Sequence, residues 1–174
     1  MGNGTIQPKH WRGVRQKMSI PPGAETRRPR PLVIPIKWYP SDQPWIKVNT
    51  DGAYTETSRK AGGGGVVRDA SGKLLIAFAT PLQAKSALEA ELMAMFHGLE
   101  LAKEFGKPVW IESDSEQVVK LAMGKKWGPA HVHQAVAQLV VARRHHNSRV
   151  TFISQEGNKA ADLFAKEGLE REAF

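Results

Sequence analysis

Three strand-like segments follow one another between residues 46 and 78 before any helical period begins, and that order constrains the fold more than any other feature of the chain. Ile46, Val48 and Thr50 alternate with Lys47, Asn49 and Asp51, the period of a half-buried strand, and Asp51-Gly52 is expected to end or bend it. Residues 65–68 and 74–78 flank Asp69-Ala70-Ser71-Gly72, a short turn with glycine near its end, which predicts a hairpin. Gly62 to Gly65 lack the Gly-Lys-Ser/Thr that would make a phosphate loop, so they read as a strand closely approached by another element.

The pattern then changes to alternating helices and strands. Leu88, Leu92, Met95, Leu99 and Ala102 recur at steps of three and four, which predicts a helix over 87–105, opened by Ser86 and closed by Gly106. Val109-Trp110-Ile111 reads as a fourth strand ending in Glu112-Ser113-Asp114, with Ser113 and Glu116 as a capping box for a helix that stops at Gly124. Pro129 suits the first turn of a helix carrying Val132, Val136, Leu139 and Val140, residues 149–153 read as the last strand, and Asn158 is expected to cap a final helix through Leu169. The resulting order, βββαβααβα, implies an α/β fold whose mixed sheet has its first three strands antiparallel and later ones parallel, flanked by helices.

Acidic residues fall at telling points of that order. Asp51 and Asp114 stand at strand ends, where α/β sheets place their ligands, and Asp162 lies in the last helix. Glu89 and Glu91 compete for the central helix. Two positions apart on a helix is about 200°, so only one of them faces the sheet. Glu91 shares the apolar, small-residue face of Ala87, Leu88, Ala94, Met95 and Gly98, whereas Glu89 reads as a first-turn acid that complements the helix dipole. The chain has no cysteine, so a metal would be held by oxygen or histidine; converging carboxylates suit Mg²⁺ or Mn²⁺. Two such ions roughly 4 Å apart can activate water and stabilise a leaving oxygen in phosphodiester cleavage.

Asn49-Thr50-Asp51-Gly52-Ala53, the glycine-rich second strand, Glu89-Ala90-Glu91-Leu92-Met93-Ala94, Glu112-Ser113-Asp114-Ser115 and Glu156-Gly157-Asn158-Lys159-Ala160-Ala161-Asp162 resemble, in order and spacing, the ribonuclease H domain. More narrowly, the chain looks like the plant reverse-transcriptase-like branch of that family, found in retroelement remnants and as stand-alone proteins. The likeness runs over residues 45–172. It implies a five-stranded mixed sheet, two Mg²⁺ or Mn²⁺ ions on Asp51, Glu91, Asp114 and Asp162, and endonucleolytic hydrolysis of the RNA strand of RNA–DNA hybrids. Asn158 is implied as a contact to the substrate strand, whereas the family's lysine-rich handle between the middle helices is lacking: only Lys125, Lys126 and Trp127 stand there, which points to a weak grip on a hybrid or one that depends on the basic arm. One position departs from the family: Phe152 stands where a loop histidine is usual, ten residues before the last aspartate.

Other nucleases are excluded by spacing. A DEDD exonuclease needs Asp-x-Glu on the first strand, where Gly52-Ala53 follow Asp51, and an integrase core places its glutamate after the second aspartate, whereas Glu91 precedes Asp114. A catalytically weak nucleic-acid-binding remnant is the alternative to an active enzyme, and a protein-interaction module that uses only the scaffold is a third.

The net charge of +8 is unevenly spread. Residues 1–44 hold eight basic residues against Glu25 and Asp42, with eight prolines and no sustained apolar period, so they read as a disordered or extended basic arm preceding a ribonuclease H-like domain over 45–174. The arm suits either a solvated linker or a nonspecific phosphate tether. Organellar targeting by it is the weaker expectation, because serines are few. No signal peptide or membrane-spanning run is evident, Ile6 stands where myristoylation would need Ser or Thr, and an intracellular monomer in nucleus or cytoplasm is expected.

Overall fold

The computed structural model describes residues 37–171. The basic arm expected over 1–44 lies outside the described residues except for its last eight positions. Among the described residues, no helix is long and apolar enough to cross a membrane.

Five strands form one sheet in the order β3-β2-β1-β4-β5. They are β1 (Ile46–Thr55), β2 (Lys60–Arg68), β3 (Leu74–Leu82), β4 (Val109–Ser113) and β5 (Ser148–Phe152). β1, β2 and β3 pair antiparallel, whereas β4 runs parallel to both β1 and β5. The helices are α1 (Ala87–Lys103), α2 (Glu116–Ala122), α3 (His133–Arg144) and α4 (Lys159–Glu170). The core lies between the sheet and α1, α2 and α3, where Ile46, Val48, Val67, Ile111 and Val150 meet Leu92, Met95, Leu99, Val118, Leu121 and Leu139. α4 covers the opposite face over β1, β2 and β3.

The glycine run makes that double cover possible. A Cβ at Gly62 or Gly64 would enter the α4 backbone around Phe164, Ala165 and Leu169, while one at Gly63 would meet Ala94 of α1 and Leu82. Alternate residues of a strand face opposite sides, so bare positions in succession let helices approach from both.

Four local expectations are corrected. β1 does not stop at Asp51-Gly52: it continues to Thr55, because Gly64, Gly63 and Gly62 of β2 pair with Asp51, Gly52 and Ala53. The cap of α2 is Ser115, whose hydroxyl accepts from the Val118 amide, and Ser113 instead accepts from the Ser115 amide. Pro129 precedes a 3₁₀ turn, Ala130–Val132, that leads into α3. Asn158 stands at the start of α4 without a side-chain capping bond, because its amide is engaged elsewhere.

Candidate functional site

Asp51 lies within β1 on the face that α4 covers, opposite Gly64. Its Oδ1 accepts from the Gly52 amide at 2.9 Å, which holds the carboxylate in one orientation. A Cβ on Gly52 would strike the backbone at Ala90 and Glu91, so this glycine is what lets α1 come close enough to deliver Glu91. Asp114 follows the last residue of β4, just before the α2 cap at Ser115.

Ligand oxygens of Asp51, Glu91 and Asp114 lie within 4.8 Å of one another. They open into a cleft of about 440 Å³ that also takes in Tyr54, Ser115, Gln155, Asp162 and Lys166. Asp162, in the first turn of α4, borders the cleft outside the tight trio and is paired with Lys166 at 2.8 Å. Glu89 does not reach the site: it accepts from the Lys85 amide at 2.7 Å, and its own amide donates to Ser86, which together cap α1. The structure therefore brings Glu91, and not its neighbour two residues away, beside Asp51 and Asp114.

Converging negative charge shapes the electrostatics. Burial, then the Asp114 charge, pushes Asp51 up to about 7. Burial, then Asp51 and Asp114, pushes Glu91 up to about 8. Asp114 is also raised, first by burial, with the Asn158 amide opposing the shift. Acids that favour protonation through burial and, after it, through neighbouring negative charge form an arrangement that a cation relieves.

The residues fit a hard divalent ion. The donor set is all oxygen, and Glu91 Oε2 is buried without a hydrogen-bond partner, although a buried carboxylate oxygen ordinarily has one.

The remaining expected residues fall elsewhere. Asn158 is 1% exposed and its Nδ2 donates to the Thr50 carbonyl at 3.0 Å, so its side chain ties α4 to β1. Lys125 and Lys126 are exposed between α2 and α3 and do not line the carboxylate cleft. Lys126 borders a separate groove of about 220 Å³ with the exposed Trp127, the buried Val136, and Val140 and Arg144. Phe152 is half exposed at the end of β5, level with Ser113. Trp38, which sequence reasoning assigned to the arm, donates from Nε1 to Asn49 Oδ1 at 2.8 Å. An isolated Trp among prolines carries no periodic signal by which that contact could be foreseen.

A sheet of this order, with one acid within its central strand, a second just past the end of β4 and a glutamate delivered from the first helix, defines a ribonuclease H-like fold. Solved structures agree. The ribonuclease H1 of the archaeon Halobacterium salinarum superposes with a TM-score of 0.67 at 21% identity, over 72% of this chain and 98% of that one. LC11 ribonuclease H1, isolated from compost by a metagenomic approach, gives a TM-score of 0.67 at 25% identity, over 72% of this chain and 95% of that one. The chain belongs to the reverse transcriptase-like family, whose profile matches residues 49–168. A curated Arabidopsis thaliana relative, named as a ribonuclease H protein, is 40% identical over 85 residues, which is 48% of this chain but only 14% of that protein's length.

Proposed function

We propose that the chain is a Mg²⁺- or Mn²⁺-dependent endonuclease that hydrolyses the RNA strand of RNA–DNA hybrids. The observation that carries this reading is the convergence of Asp51, Glu91 and Asp114 from three separate elements to within 4.8 Å, in an open cleft of about 440 Å³. Two ions held by these residues and Asp162 would supply an activated water and neutralise charge on the leaving oxygen.

The chain's own groups do the rest. Asp51, held in one orientation by the Gly52 amide and within Coulombic reach of both Asp114 and Asp162, would serve as a metal ligand alongside either of them. Ser115 and Gln155 offer neutral hydrogen-bonding groups on the cleft wall for phosphate oxygens or 2′-hydroxyls. Lys166 holds Asp162 at the rim and supplies positive charge near the incoming backbone. LC11 ribonuclease H1 has been crystallised with an RNA/DNA hybrid, which supports the same substrate class here.

Phe152 favours a second reading, a hybrid-binding domain with slow turnover, because its ring cannot transfer a proton where the family usually has an imidazole. Incubating one labelled RNA as hybrid, as duplex RNA and as single strand, with Mg²⁺ or EDTA, separates the two. Cutting of the hybrid alone, and only with metal, supports the enzyme; tight hybrid binding with no cutting in either Mg²⁺ or Mn²⁺ supports the second reading.

A further inference from the structure

One face of the β1–β4 pair carries two successive rungs. Lys47 is level with Trp110 and Asn49 with Glu112, and the backbone ladder stops at that second rung. Asp51 and Asp114 lie two residues further on, so two carboxylates that repel each other project just beyond the last main-chain tie between their strands.

What holds the strands there is a buried polar network. Asn49 Nδ2 donates to Glu112 Oε2 at 3.0 Å, and Glu112 Oε1 pairs with Lys47 Nζ at 2.9 Å. Lys47 also donates to the Tyr39 carbonyl at 2.8 Å and lies 4.0 Å from the Trp110 ring centroid. Trp38 Nε1 donates to Asn49 Oδ1, which fixes the way the amide points. Lys47, Asn49 and Glu112 are 3%, 1% and 6% exposed, so the bonds among these three side chains are shielded from bulk water.

We propose that the Trp38–Asn49–Glu112–Lys47 network sets the separation of Asp51 and Asp114, which makes these four residues, and the segment before β1, positioning elements of the metal site. The proposal rests on the carboxylates being metal ligands only for its second consequence. Its first is structural: without the Asn49 rung the two carboxylates move apart. Its second is functional: metal affinity falls about tenfold or more, as for other groups that orient ligands.

The test uses the full chain with Asn49→Ala, the milder Glu112→Gln and Trp38→Phe, and Val136→Ala as a core control outside the network. Metal-free crystal structures of wild type and variants are compared for the Asp51–Asp114 separation, and Mn²⁺ binding is measured by calorimetry well below each unfolding midpoint. Expected are a widened pair and about tenfold weaker Mn²⁺ binding in Asn49→Ala, smaller changes in the two milder variants, and wild-type Mn²⁺ affinity in Val136→Ala despite its lower midpoint. An unchanged separation in Asn49→Ala and Glu112→Gln, or a Mn²⁺ loss no larger than in Val136→Ala, overturns the proposal. If wild type itself binds no Mn²⁺, the metal reading fails, and the crystallographic separation still decides the network.

Discussion

Asp51 and Glu91 are held by the fold against their own charge, and this sets the protein's response to pH. Their unfolded values are near 3.8 and 4.5 and their folded values about 7 and 8. Between about pH 4 and pH 8 these two groups therefore hold more protons in the native state than in the unfolded chain, so their contribution to metal-free stability declines as pH rises through that window and levels off above it, while His97, lowered by burial, works against them. Asp114 and Asp162 face the pair and deepen the effect, whereas Lys166 on α4 and the Ser115 hydroxyl oppose it. Melting in EDTA should show a midpoint that falls across this range, and saturating Mn²⁺ should flatten the fall; a rising metal-free midpoint would contradict the charge arrangement. By the same logic Asp51→Asn should abolish cleavage yet stabilise the metal-free protein at pH 8, by on the order of 1 kcal/mol once solvent in the open cleft is allowed for. Phe152→His is expected to raise turnover at least about tenfold if the end of β5 keeps its geometry; single-turnover hybrid cleavage measures it, and no gain would mean that this loop works without an imidazole. The choice of Glu91 over Glu89 was legible because helical periodicity is a strong constraint over seventeen residues. Asn158 was not: an Asn before a helix ordinarily caps it, and only the tertiary approach of α4 to Thr50 redirects the amide.

At the scale of elements, β2 governs how near the helices come. Gly64 is level with Asp51 and lies beneath Phe164 and Ala165, so it also sets how near α4 brings Asp162 to the other acids. Gly64→Ala would place a methyl group against the α4 main chain, which cannot rotate away as a side chain can. A loss of about 3 kcal/mol in chemical denaturation is expected, at the upper end for overpacked interiors, together with weaker Mn²⁺ binding. A near-neutral substitution would show that α4 is free to shift. The order of strands and helices was readable from hydrophobic period together with turn and cap residues, and the close packing of β2 from its run of glycines. The extent of β1 was not, because Asp-Gly is a turn signal locally, and its extended state here comes from pairing with the bare β2.

For the whole molecule, the charge pattern separates a nearly balanced domain from a basic N-terminal stretch, while the structure moves the useful boundary. Residues before β1 contribute Trp38, the Tyr39 carbonyl and Ser41, whose hydroxyl donates to the Trp45 carbonyl at 2.7 Å, to the sheet's polar network. Composition put the limit at Trp45 because prolines and cations dominate before it, and a sparse aromatic anchor does not change that average. Removing residues 1–36 should lower hybrid affinity and reduce its salt dependence without altering the melting midpoint, whereas removing 1–44 should lower the midpoint as well. Fluorescence anisotropy over a salt series and thermal melts check both, and an unchanged salt slope after the shorter truncation would make the basic stretch a linker only.

The central claim is that Asp51, Glu91 and Asp114 form one metal-dependent hydrolytic site. It is tested most directly by cleavage of a labelled RNA–DNA hybrid in Mg²⁺ and Mn²⁺ by the full chain, Asp51→Asn and Asp114→Asn, each checked for folding by circular dichroism. Cutting of the RNA strand by the wild type that needs the metal and is lost in both folded variants is the predicted result. Cutting that survives in either variant, or a wild type that binds the hybrid and leaves it intact in both metals, would contradict the claim.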